Sequence, residues 1–568
     1  MRKMIDDSGK MVIYQVLPRL FGNKTKNLVS GGTCSENGCG KFSDFTMDAL
    51  SHIRELGVTH IWYTGVIEHA TQTDYSQYGI KRDHPAIVKG RAGSPYAIKD
   101  YYDVDPDLAD SVPHRMEEFQ SLLERTHNAG MKVIMDFVPN HVAREYHSDA
   151  CPPYVSDFGY NDDVSKSFSP HNNFYYIPNQ PLMIDFIDTD EGESYTEYPA
   201  KATGNDCFSF SPGKDDWYET VKLNYGVDYM GGRCGYFDPM PDTWLKMKDV
   251  LLFWAQKGVD GFRCDMAEMV PVEFWHWVIP QVKAYYNVIF IAEIYNPSEY
   301  WNYINTGNFD YLYDKVGLYD TLRSVMVGNS SAKAITHCWQ SVGGMQKRML
   351  NFLENHDEQR IASVFFADSA LAGIPGMIVS ALMNTNPVMI YFGQELGERG
   401  MQAEGFSGLD GRTSIFDYCC VPAVQSWVDD AAFNDELLPD EQRQLRNMYK
   451  TILRFASADP VVGKGDFYDI MYANINNMYM DADKQYAFVR KYGNSVLLVI
   501  SNFDKESRDI RLNLPAEMFE TLGIEENRAA EVEDILCGRK NISTLTSEWG
   551  YQVHLPAYGG KILKFTYK

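Results

Sequence analysis

The sequence predicts an α/β protein: a closed (β/α)8 barrel with a domain inserted after its third strand and an antiparallel β-sandwich at its end. Three observations carry this. First, a helical stretch that ends in Gly and runs straight into an apolar strand occurs three times. The pairs are MDALSHIRELG then VTHIWYTGV, RMEEFQSLLERTHNAG then MKVIMDFV, and PDTWLKMKDVLLFWAQKG then VDGFRCDM, with junctions at Gly57, Gly130 and Gly258. Glycine tolerates the left-handed backbone that ends a helix, and helices alternating with near-continuous apolar strands imply a parallel sheet covered by helices. Second, the strand candidates total eight, the number that closes such a barrel. Third, the alternation breaks over residues 143–240 and again after about residue 460.

In chain order, VIYQVLP (12–18) is the first strand, and the Asn- and Gly-rich stretch FGNKTKNLVSGGTCSENGCGKF after it reads as a turn-rich loop. The Gly57, Gly130 and Gly258 junctions open the second, third and fourth strands. In the helix before Gly258, Trp244, Met247, Leu251 and Trp254 recur at helical spacing, with Pro241 near its start and Lys257 at its end. VIFIAEIY (288–295), FDYLYDK (309–315), MLNFLENHD (349–357) and PVMIYFGQE (387–395) supply the remaining four strands, FDYLYDK being the weakest candidate. Residues 143–240, rich in Asn, Asp, Pro, Gly and aromatics, are too long for a simple loop. Near the end, QYAFVRK and SVLLVISNF flank a Gly493-Asn494 turn, a hairpin signal. YQVHLP and KILKFTY close the chain. The expected division is a barrel over 1–142 and 241–460, an inserted domain over 143–240 and a β-sandwich over 461–568.

Composition narrows the function. The chain has 568 residues, 45% hydrophobic and 23% charged, as expected of a folded soluble protein. A net charge of −25 argues against nucleic acid or an anionic membrane as partner. No run of apolar residues is long enough to span a bilayer, and Asp6, Asp7 and Lys10 interrupt the N-terminus before a secretory apolar region could form. Ten cysteines without a CxxC pair suit reduced thiols better than a disulfide framework or a structural zinc site. These features predict a cytoplasmic location.

The apolar strands end in polar residues: Asp136, Asn140 and His141 after the third, Arg263 and Asp265 on the fourth, Glu293 on the fifth, and Asn355, His356 and Asp357 after the seventh. The C-terminal ends of barrel strands build the active site, so four strands deliver carboxylates to one rim. Glycoside hydrolysis needs one protonated and one ionised carboxyl. In GVDGFRCDMAEM (258–269), Arg263 and Asp265 lie two apart and share a strand face. Arg263 is then the cation that keeps Asp265 ionised, while Phe262, Cys264 and Met266 face the helix layer. Glu293 is the candidate for the protonated member.

On these residues the sequence resembles the α-amylase family of glycoside hydrolases. MDFVPNH (135–141), GFRCD (261–265), IAE (291–293) and ENHD (354–357) are similar, in order, to its four conserved regions, and SPYAIKDYYDVDP (94–106) to the segment after its second strand. The resemblance implies that Asp265 is the nucleophile, Glu293 the acid/base and Asp357 the transition-state stabiliser. It also implies that Arg263 holds Asp265 ionised, that His141 and His356 bond the sugar in the cleaved subsite and that Tyr96 stacks on it. The implied substrate is an α-1,4-glucan or maltooligosaccharide. Hydrolysis with retention is the leading reaction, transfer by a glucanotransferase or maltosyltransferase the alternative, and a non-catalytic glucan-binding relative the third reading. Asn140 matches the family's calcium-ligand Asn, so calcium is the expected cofactor; the other reading of Asn140 is a hydrogen bond tying the insertion to the barrel. Two departures concern specificity. Glu268 and Met269 stand where Lys and His are common, although a Met269 carbonyl also suits calcium, and TVKLNYG (220–226) fits neither the amylase nor the oligosaccharidase form of the fifth region.

Overall fold

The computed structural model describes residues 9–568 except 27, 185, 187–193, 402–407, 429–431 and 434. The acidic N-terminal positions Asp6 and Asp7 lie outside the described residues. Eight strands close into a barrel: β1 (Val12–Val16), β2 (His60–Tyr63), β3 (Lys132–Phe137), β4 (Gly261–Cys264), β5 (Ile289–Ala292), β6 (Tyr311–Tyr313), β7 (Met349–Phe352) and β8 (Val388–Tyr391). Each pairs in parallel with its chain neighbours, and β8 pairs with β1. The weakest candidate is therefore a full member: Leu312 of β6 pairs with Ala292 on one side and Met349 on the other.

Helices α1 (Met47–Arg54), α2 (Arg115–Asn128) and α3 (Asp242–Lys257) precede β2, β3 and β4. The glycine after each has φ of +93°, +81° and +104° at Gly57, Gly130 and Gly258, the left-handed region that costs a side chain energy. In α3 the apolar set Trp244, Met247, Leu251 and Trp254 is buried. Strand alternation divides the core in two. Ile13, Trp62, Ile134, Ile291, Tyr313, Leu350, Phe352 and Met389 fill the barrel interior, while Phe262 and Cys264 point out to the helix layer.

The insertion leaves the barrel through a ribbon in which His141–Ala143 pairs antiparallel with Thr220–Lys222. Beyond it the described residues form only two-residue strands and turns. At the C-terminal end a six-stranded antiparallel sheet runs from Asp466 to Thr566, with the hairpin of Gln485–Tyr492 and Ser495–Asn502 as its second and third strands, and there is a further ribbon of Arg508–Leu512 with Tyr551–Leu555. The wholly buried helix Gly373–Leu382 joins this sandwich to the barrel: Arg490 donates to the Leu382 carbonyl at 2.8 Å. All ten cysteines are free thiols. Among the described residues no helix is long and apolar enough to cross a membrane.

Candidate active site

The register of β4 decides where its charges go. Arg263 lies level with Asp136 of β3 and Ile291 of β5, inside the barrel. Its guanidinium is fully buried and ringed by Trp62, Tyr96 and Tyr313, each 5.3–5.4 Å away. It reaches three carboxylates at once. Nη1 donates to Asp265 Oδ1 at 2.7 Å and to Asp136 Oδ1 at 3.3 Å, and Nη2 lies 2.9 Å from Glu293 Oε2 without hydrogen-bond alignment. Met266 does not continue the outward face, as strand alternation predicts. The strand stops at Cys264, Met266 turns to φ +42°, and its N–H donates to Glu293 Oε2 at 2.8 Å. That turn carries Met266 to the cleft and ties the ends of β4 and β5 together.

One guanidinium cannot neutralise this set. Burial pushes the Asp265 carboxyl well above the usual range; Arg263 pulls it down, and Glu293, Asp136 and Asp357 push it further up. Burial likewise raises Asp136 to about 6 against the opposing pull of Arg263. Desolvation, then the charge of Glu293, lifts Asp357 to about 7. Its side chain is 43% exposed to the cleft, where water screens that shift. The simple expectation that Arg263 alone holds Asp265 ionised therefore needs amending: its charge is divided among three acids, and burial outweighs it.

The remaining expected residues converge on the same place. Asn355 Oδ1 accepts the N–H groups of Asp357 and Glu358 and so fixes the turn that presents Asp357. Burial and the Arg263 charge hold His356 well below its usual value, hence neutral. Gln15 donates to its Nδ1 at 2.7 Å, which leaves the proton on Nε2, 3.1 Å from Asp357 Oδ2 and 2.7 Å from the Tyr96 hydroxyl. Tyr96 stacks on His356, 5.2 Å between centroids, so one of its faces is already taken. Burial, with Lys222 and Lys89, lowers His141 to about 3. Tyr96, His141, His356 and Asp357, with Asp265 and Glu293, line a cavity of about 330 Å³ that Lys89, Trp217, Glu219 and Phe416 complete.

Residues from barrel strands and insertion that carry no motif complete the site. Trp62 Nε1 donates to Asp136 at 2.9 Å, and the Tyr295 hydroxyl donates to Glu293 Oε1. Trp217 packs on His141 at 5.2 Å, and an ion pair of Lys89 with Glu219 at 3.0 Å lies against the cavity. Tyr295, two residues past Glu293, was legible by the same i, i+2 rule that singled out Arg263. The aromatics of DDWYET (215–220) stand out in the sequence as either the insertion's own core or sugar platforms, and the fold puts Trp217 on the cavity. Glu219 was not legible, because its place depends on how the insertion folds back.

Asn140 does not fit a calcium ligand here. Its Oδ1 accepts from the Lys222 ammonium at 2.7 Å, its Nδ2 donates to the Gly204 carbonyl, and Lys222 also pairs with Asp206 at 2.5 Å. The Met269 carbonyl is likewise engaged, by the Tyr229 hydroxyl at 3.2 Å, and the Tyr229 ring lies 4.9 Å from the same ammonium. A fixed positive charge from the TVKLNYG stretch stands where a cation would sit, so Asn140 ties insertion to barrel.

Three carboxylates gathered on a buried guanidinium, with a fourth from Asp357 beside them, at the C-terminal mouth of a (β/α)8 barrel define a glycosidase-type centre. The comparisons identify which. The family model described as "Alpha amylase, catalytic domain" matches residues 15–462, and "Alpha amylase, C-terminal all-beta domain" matches 476–566. The chain belongs to the α-amylase family and is an α-amylase-type glycoside hydrolase. A cyclomaltodextrinase of a Bacillus species is 23% identical over 519 residues, covering 88% of this chain and 74% of the relative. Alpha-amylase 2 of Dictyoglomus thermophilum is 22% identical over 513 residues, covering 89% and 71%. The solved maltogenic alpha-amylase AmyB of Thermotoga neapolitana shares the fold, with a TM-score of 0.63, 19% identity and 100% of both chains covered.

Proposed function

We propose that this enzyme hydrolyses α-1,4-glucosidic bonds of maltooligosaccharides, or of starch and glycogen, with retention of configuration. The observation that carries this reading is that Asp265 and Glu293 sit on the two Nη nitrogens of one buried arginine. That short span suits retaining chemistry; inverting enzymes hold the pair further apart to admit a water. Asp265 attacks the anomeric carbon while Glu293 gives its proton to the departing oxygen. Glu293, now ionised, takes a proton from water, which attacks the same carbon and frees Asp265. Asp357, beside neutral His356, bonds sugar hydroxyls as the ring flattens. His141 and Tyr96 line the sugar's subsite, and Arg263 steadies the carboxylates as their charges change. The names of relatives such as cyclomaltodextrinase support an oligosaccharide substrate.

Asp265→Asn tests the assignment. It removes the nucleophile with almost no change in volume. Turnover of maltoheptaose is expected to fall by about 10⁴-fold or more, in line with loss of an essential catalytic group, while maltooligosaccharide binding persists. Near-normal turnover sinks the reading. A time course on maltoheptaose then separates the two fates of the glycosyl-enzyme: only shorter sugars mean hydrolysis, and products longer than the substrate mean transfer.

A further inference from the structure

Just after β2, the short strand Ile67–His69 pairs antiparallel with Ile98–Val104. Glu68 and Asp100 are direct register partners in this ribbon. Like charges directly opposite each other destabilise a strand pair, and both residues are buried, at 2% and 0% exposure. Asp149, exposed on the loop just after the His141–Ala143 strand, brings a third carboxylate. One oxygen from each lies within 4.8 Å of the others.

The surroundings do not neutralise them. Asp100 is held as an acceptor by the Ser148 hydroxyl at 2.6 Å and by the N–H groups of Tyr102, Asp149 and Ala150 at 2.8–3.2 Å. Glu68 Oε2 is buried with no hydrogen-bond partner. The nearest cations are committed elsewhere: Lys99 to Asp83 at 3.0 Å, and Arg115 to Asp103 at 2.6 Å, its distance to Asp149 being 3.9 Å. Buried charges persist when paired or when they coordinate metal.

We propose that Glu68, Asp100 and Asp149 form a site for a hard divalent cation of the calcium class, separate from the Asn140 pocket that Lys222 fills. Donor chemistry selects the class. The three oxygens lie within 4.8 Å of one another, so one cation can reach all of them, and an all-carboxylate protein set suits calcium, whereas magnesium usually keeps several waters and takes only one or two carboxylates. With no His or Cys in the set, zinc and copper are disfavoured. A cation here would pin the start of the insertion to the barrel's second βα connection, where the His147 N–H already donates to the Lys99 carbonyl at 3.1 Å.

Calorimetric titration of chelator-stripped full-length protein with calcium chloride tests this, beside Glu68→Gln and the surface variant Asp149→Asn, with thermal unfolding on each sample. The expected result is one calcium per chain, at least tenfold weaker binding in both variants, and a calcium-dependent rise in Tm that Glu68→Gln loses. Asp149 is exposed, so its variant keeps the fold and the comparison stands if Glu68→Gln does not express. No binding at millimolar calcium overturns the proposal. So does binding that both variants leave unchanged, which would put the ion elsewhere. A higher metal-free Tm in Glu68→Gln, without calcium binding by the parent, also overturns it, since the pair would then share a proton.

Discussion

Replacing Lys222 with Met tests how the insertion is held against the barrel. The Lys222 side chain is 1% exposed, and Met keeps its apolar stem while deleting the ammonium. Three interactions are lost. The charged hydrogen bond to Asn140 Oδ1 at 2.7 Å contributes about 1.5–3 kcal/mol. The pair with Asp206, which is 30% exposed, is close enough to solvent to add only about 0.2–1 kcal/mol. The contact with Tyr229 at 4.9 Å adds about 0.5–1 kcal/mol. The total is about 3 kcal/mol, or roughly a 150-fold shift in a local opening equilibrium. Hydrogen exchange reads this directly, because the Leu223 N–H donates to the Asn140 carbonyl and the Arg144 N–H to Glu219 across the same ribbon. Protection of peptides over 140–144 and 220–223 should fall by about two orders of magnitude while β7 and β8 are unchanged. Lys222→Gln, which keeps a donor for Asn140, should lie between. A fall of less than about threefold would refute the idea that this ammonium docks the insertion.

Other outcomes follow from the same geometry. Arg263→Lys cannot bridge Asp136, Asp265 and Glu293; breaking such a buried cluster costs about 3–5 kcal/mol, so a lower urea midpoint and a large loss of kcat are expected. Tyr295→Phe removes the hydroxyl on Glu293 Oε1 and should lower kcat by about tenfold, one hydrogen bond's worth, with KM little changed. Because Asp265 must be ionised to attack and its carboxyl is raised, the acid limb of kcat/KM should lie well above pH 4. Stability has the same origin: with Asp357 raised to about 7 and Asp136 to about 6, the folded chain keeps protons that the unfolded chain releases above about pH 4. Stability from these groups is therefore full at low pH and declines as pH rises from about 4 to 7, and Asp357→Asn should flatten that decline in denaturant titrations.

Local patterns reached the sequence intact because they are set by short-range physics. Helix, glycine and apolar strand follow one another in order, so the eight barrel strands, the glycines at +93°, +81° and +104° and the inward face carrying Arg263 were all legible. So were the strand ends that bring Asp265, Glu293, Asp357, His356 and His141 to one cavity, since the barrel closes these ends onto a single rim; Tyr96, in the loop before Ile98–Val104, came only from the resemblance. What the tertiary structure alone decided depends on contacts between distant segments. Met266 leaves the strand pattern because its N–H is drawn to Glu293, 27 residues on. Asn140 is claimed by Lys222, 82 residues away, and not by a metal. Asp265 is governed by burial among three other acids and one arginine, a balance that no spacing in the chain reveals. Glu68 and Asp100 become partners only when two strands 32 residues apart fall into register. Periodicity fixes which way a side chain points; only packing fixes what it meets.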